Sequence, residues 1–111
     1  MSNLNDLTIP LSTLEFASDS TATATAHEWT VIQVGVLLQA VVEHHAKSLV
    51  EEGELHSVSV TFDVSADAAT GTDVAFESRI DRKTRTLIFA SGIAKQNDRH
   101  LLKATVVYRI S

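Results

Sequence analysis

The sequence predicts an α+β domain in which one long helix packs on an antiparallel sheet. Three observations carry this. Between Gln33 and Glu51 the residues Val34, Leu38, Val41, Val42, His45 and Leu49 recur at helical spacing on one side. From Leu55 onward the pattern switches to period two, the mark of half-buried strands. The connections between those later segments are short and polar, as antiparallel neighbours require.

The elements follow in order. Residues 1 to about 10 carry no clear pattern and are expected to be poorly ordered, and Pro10 argues against a central strand there. The Thr-rich stretch 19-DSTATATAHEWTV-31 alternates small and polar residues and reads as a strand. The helix is expected from about Ile32 or Gly35 to Glu51, with Gly53 as its C-terminal stop. Val36 and Leu37 widen its apolar surface, so contact from more than one direction is expected.

In 55-LHSVSVTFDVSA-66, Val58, Val60, Phe62 and Val64 alternate with polar residues. A turn at 67-DAATGTD-73 leads to 74-VAFESRI-80, where Val74, Phe76, Ser78 and Ile80 share a face. The polar hairpin 81-DRKTR-85, the strand 86-TLIFASGIAK-95 and the turn 96-QNDRH-100 come next. The last strand, 101-LLKATVVYRI-110, turns Leu102, Ala104, Val106, Tyr108 and Ile110 inward. The expected order is strand, helix and four strands in a meander, within one domain spanning residues 1–111.

Composition narrows the function. The net charge of −5 argues against a nucleic-acid partner. No apolar run approaches the roughly 18 residues of a membrane span, and 1-MSNLNDLTIPLSTLEF-16 lacks the form of a secretory signal. There is no cysteine, which removes disulfides, thiolate metal sites and a Cys nucleophile and fits a cytoplasmic location. Glu43-His44-His45 interrupts the apolar helix. Adjacent histidines point apart and cannot form a metal pair, and no HExxH spacing exists, so no metal is expected. Glu43 is the one acid of the central helix before its last turn. It reads either as a surface partner of Lys47 or as a carboxylate placed for chemistry. Arg79, Arg82, Lys83 and Arg85 form the cationic cluster of an acidic chain.

The helix opening 35-GVLLQAVVE-43, the hairpins of 58–110 and the Thr/Ala strand before the helix resemble the hotdog fold. Within it, the small acyl-CoA thioesterase branch is the nearer likeness. The resemblance implies a curved sheet around one helix, a homodimer or dimer of dimers, and active sites at the subunit interface. It implies an acyl-CoA or acyl-carrier thioester as substrate and no cofactor beyond the CoA moiety of that substrate. It also implies a backbone amide at the helix start that polarises the carbonyl, here Gly35, and a carboxylate further along. Where the family often has His-Gly-Gly, this chain has Gln33-Val34-Gly35, and the usual acid position falls on Val42, one before Glu43. By the same likeness Arg82, Lys83 and Arg85 are expected to bind CoA phosphates. His27 opens an alternative, a hotdog (de)hydratase pairing it with Glu43. A third reading is a module that binds an acyl group without turning it over.

Overall fold

The computed structural model describes residues 13–26 and 28–111, so the expectations for residues 1–10 and for His27 lie outside the described residues. The chain runs β1 (Glu15–Phe16), β2 (Thr21–Thr25), α1 (Val31–Lys47), β3 (Leu55–Val64), β4 (Asp73–Lys83), β5 (Leu87–Gln96) and β6 (Arg99–Ile110). All strands join one antiparallel sheet in the order β1-β2-β4-β5-β6-β3, with α1 across one face.

The Thr-rich segment forms a shorter strand than expected. Only Thr21–Thr25 pairs, placing Ala22 and Ala24 inside and the threonines outside. The helix starts at Val31 because Thr30 caps it. Thr30 Oγ1 accepts from the Gln33 N–H at 3.3 Å, and Gln33 Oε1 accepts from the Thr30 N–H at 2.8 Å. It ends at Lys47, short of the expected Glu51, and Leu49 is exposed rather than part of the stripe. Gly53 lies beyond the helix at φ +100°, where a Cβ would meet Ser111 O at 2.4 Å.

The expected meander holds for β4, β5 and β6, but β3 pairs with β6 and not with β4. The connection from β3 to β4 makes this possible by crossing the end of the sheet. The Ser65 and Ala66 amides donate to Leu101 O. The Ala69 N–H donates to Gln96 Oε1 at 2.8 Å, and Gln96 Nε2 donates back to Ala69 O and to Thr72 O. Gly71 N–H then reaches Ala26 O, and Ala26 N–H reaches Thr72 O. The buried Gln96 carboxamide thus ties the crossing loop to the end of β2, where the chain turns toward the helix.

The core lies between α1 and the inner face of β4, β5 and β6. Leu37, Leu38, Val41, Val42, Val74, Phe76, Ile88, Val106 and Tyr108 are fully buried there. The helix comes closest over Gly92, where a Cβ would stand 2.6 Å from Val42 Cγ2 and 2.9 Å from Leu38 Cδ1. Gly92→Ala is therefore expected to destabilise the fold by about 1–3 kcal/mol through overpacking. Thr30→Ala, which removes the cap, is expected to cost about 1 kcal/mol. Urea unfolding of both variants against the parent measures these losses.

Candidate functional site

Val42 and Glu43 are adjacent in sequence and opposite in fate. Val42 is wholly buried over Gly92. One residue turns a helix by about 100°, which carries Glu43 out onto the side away from the sheet. Its side chain is 43% exposed and meets Lys47 Nζ at 3.7 Å, a pair one turn apart. Ile32, Val36 and Gln39 share this outward face, and Ile32 is 61% and Val36 40% exposed. An acid at position 42 would lie inside the core, whereas Glu43 stands on an uncovered, largely apolar face.

The start of the helix supplies a second feature. Gly35 lies in the second turn, so its N–H belongs to the intrahelical ladder and points to Val31 O. Of the first four amides, the capping box takes up Thr30 and Gln33. Val31 and Ile32 have no intrahelical acceptor, and the cap satisfies neither. Beside them opens an apolar slot of ≈ 170 Å³ lined by Val31, Ile32, Gly35, Val36, Gln39 and Phe62. Gly35 permits it to close, since a Cβ there would stand 3.3 Å from the Phe62 ring. Gln33, placed by sequence where a relative would carry histidine, is buried with its carboxamide oxygen engaged in the cap.

The two histidines part company. His45 is half-buried, with Nδ1 2.9 Å from Ser78 Oγ. His44 stacks on Phe16 with ring centroids 4.2 Å apart. A shallow pocket of ≈ 220 Å³ between β1 and α1 holds Leu14, Phe16, Ala40, Glu43, His44 and Lys47. Glu43 therefore borders this pocket and not the slot at the helix start. Among the described residues no three His, Asp or Glu side chains converge as a metal set.

The cationic cluster is reorganised by the sheet. Arg79 is engaged with Asp81 at 3.0 Å, while Arg82, Lys83 and Arg85 make no ion pair among the described residues. Pairing of β5 with β6 sets Arg109 opposite Leu87, which adds a cation to the same end of the sheet. Nothing in the sequence marks Arg109, because only the strand register brings it there. The uncapped amides of Val31 and Ile32 were legible in principle, through the Thr30-x-x-Gln33 capping pattern. Gly35 lies over Phe62 and Leu102, toward one end of the sheet, and the cationic turn lies at the other, near Ile88 and Tyr108. Within one copy about 20 Å of strand separates them.

No family model matches the chain, and no curated protein matches it in sequence. Solved structures match throughout. The phenylacetic acid degradation-related protein of Ralstonia eutropha JMP134 superposes with a TM-score of 0.75 at 14% identity, over 93% of this chain and 92% of its own. Thioesterase superfamily member 2 of Mus musculus gives 0.73 at 15% identity, over 89% and 81%. A Streptococcus mutans UA159 protein bound to acetyl-CoA gives 0.74 at 10% identity, over 82% and 79%. One helix on a six-stranded antiparallel sheet, superposing on these chains over most of its length, makes this a hotdog-fold protein with thioesterases among its structural neighbours.

Proposed function

We propose that this protein hydrolyses acyl-CoA thioesters as a homodimer whose active sites lie between the two copies. The observation that carries this reading is the uncovered face of α1. It begins at two amides without an intrahelical acceptor and bears a half-exposed carboxylate, Glu43, about three turns on. Hydrolysis of a thioester needs a donor for the oxygen that gains charge and a base or nucleophile for the acyl carbon. The Val31 and Ile32 amides, at the positive end of the helix dipole, supply the donor. Glu43 supplies the base. It takes a proton from water as the water oxygen adds to the carbonyl carbon, and the C–S bond then breaks with the proton passing to the leaving sulfur. Gly35 lets the Phe62 ring and the substrate approach the helix closely.

One copy cannot do this alone. The rise from Ile32 to Glu43 is about 17 Å at 1.5 Å per residue, and both groups must reach one carbonyl within about 3 Å. A second copy removes the conflict. β3 is an edge strand whose outer backbone side has no neighbour among the described residues. Val58 and Val64 are 57% and 56% exposed on it, and Val60 and Phe62 are uncovered as well. Antiparallel pairing of two β3 edges sets the two helices antiparallel on one side of a continuous sheet. The start of one helix then comes alongside Glu43 of the other. The same two-fold operation brings the cationic end of one copy to the helix-start end of its partner. Arg82, Lys83 and Arg85, with Arg109, are thereby within span of an extended CoA whose phosphates they bind.

Two observations favour a second reading, a module that binds an acyl group without turnover. Gln33 is engaged in the cap, and Val42 is buried. The hydration reading needs His27, which lies outside the described residues.

Hydrolysis across short, long and aromatic acyl-CoAs, beside crotonyl-CoA hydration, separates the three, and binding without turnover supports the module. Glu43→Gln is expected to lower kcat by roughly 10²–10⁴ while changing stability by no more than about 0.5 kcal/mol, the value of an exposed pair. Parental turnover in this variant would remove Glu43 from the reaction. Charges placed on the edge, as in Val60→Lys with Phe62→Lys, are expected to give a folded monomer by light scattering that has lost hydrolysis. An active monomer would overturn the interface site. Reversing Arg82 and Lys83 to Glu is expected to raise KM for acyl-CoA with kcat nearly unchanged, an effect that shrinks as salt is added.

A further inference from the structure

The slot beside the helix start has a definite size and a closed inner end. It encloses ≈ 170 Å³ among Val31, Ile32, Gly35, Val36, Gln39 and Phe62. Apart from Gln39, those walls offer no polar side chain. The inner end is shut by contact. At Gly35 a Cβ would stand 3.3 Å from Phe62 Cε1, 3.4 Å from Phe62 Cζ and 3.5 Å from Leu102 Cδ2. The tip of the Phe62 ring thus rests on the helix, and Leu102 beside it belongs to the buried core. A guest can lie against Gly35 but cannot pass it without moving the ring or opening close-packed core.

Volume and walls decide what the slot can hold. An apolar cavity of about 150 Å³ takes one benzene ring, so this one takes a single ring or a chain of about six carbons. No charged side chain lines it, so an ionised acyl group would lose its hydration there without gaining a partner. Val31 and Ile32, whose amides have no intrahelical acceptor, are themselves part of the wall. A carbonyl oxygen set on those amides leaves its acyl carbons at the mouth of the slot. In the edge-paired homodimer the partner's β3 runs beside the strand that carries Phe62, so that side is occupied too.

We propose that this slot is the acyl pocket of the site and that Phe62 sets its depth. The protein then selects compact apolar acyl groups, one aromatic ring or about six carbons long, over longer chains. Gly35 and Phe62 form the inner wall together, one by lacking a side chain and the other by reaching across the gap. This rests on the thioester reading above, and it names the acyl class that the reading leaves open.

Binding of non-hydrolysable S-alkyl-CoA thioethers to the full chain tests it, with ethyl, butyl, hexyl, decyl and benzyl groups compared by calorimetry. Each methylene up to hexyl is expected to tighten binding about fourfold, the value of one buried CH₂. Decyl is expected to bind no tighter than hexyl, and benzyl to match hexyl. Affinity that ignores chain length, or that goes on rising through decyl, would overturn the proposal. Val36→Trp fills the slot from a position that is 40% exposed, so the core is left intact. It is expected to abolish the gain from ethyl to hexyl, and a gain that survives it would place the acyl group elsewhere. Phe62→Ala is expected to let decyl bind more tightly than hexyl, and an unchanged limit would remove Phe62 from its role. The two readings fail separately. A limit near hexyl in a protein that hydrolyses no thioester keeps the slot and ends the hydrolase reading. Hydrolysis that proceeds equally well on hexanoyl- and palmitoyl-CoA keeps the hydrolase and ends the acyl pocket.

Discussion

The rotation of the helix about its own axis is set at Gly92, and the rest of the arrangement depends on it. Val42 and Leu38 descend into the space that a side chain at 92 would occupy. Close packing of this kind tolerates little slack, because interiors are as dense as organic crystals. With Val42 locked inward, Glu43 has no choice but to face outward. The side of α1 that carries Ile32, Val36 and Gln39 is turned from the sheet by the same constraint. A contact with no chemistry of its own thus decides which helix residues face outward.

A second, polar constraint decides where the helix begins. Gln96 holds the loop at 69–72, and that loop holds Ala26 at the end of β2. The Gln96 side chain is buried, where an unmet carboxamide is expensive, so the loop that meets it is held to one path. Thr30 and Gln33 then cap each other across the first turn. The cap leaves the first two helical amides without an intrahelical acceptor at the mouth of an apolar slot. Gln33 thereby serves helix entry, which is a sufficient reason for a glutamine at that position.

The uncovered parts of the molecule are as informative as its core. β3 is long, apolar on its helix side and, among the described residues, unpaired along its outer edge. Isolated chains seldom leave such an edge open, since it invites pairing. The separation between helix start and Glu43, larger than any single reacting group can span, points the same way. In the homodimer we propose, edge pairing and a shared site are two consequences of one geometry.

Much of this was legible in the residues alone. Alternation marked β3, β4, β5 and β6 and their inner faces, because a strand half in water must repeat every two residues. The helical spacing of Val34, Leu38, Val41 and Val42 marked the buried stripe, and Glu43 stood out as an acid at its border. Helix length was less legible: Leu49 continues the apolar spacing, yet the chain leaves the helix at Lys47 and exposes it. Strand pairing was not legible either, since period two reports which faces are buried and is silent on neighbours. The partnership of β3 with β6 and the approach of Arg109 to the cationic turn both join residues far apart in the chain. The sequence by itself determined the long helix, the four later strands and the buried faces of β4 and β6, because those follow from local spacing. Only the tertiary structure decided which faces meet, because that depends on volumes, such as the missing side chain of Gly92, summed across strands that no local pattern connects.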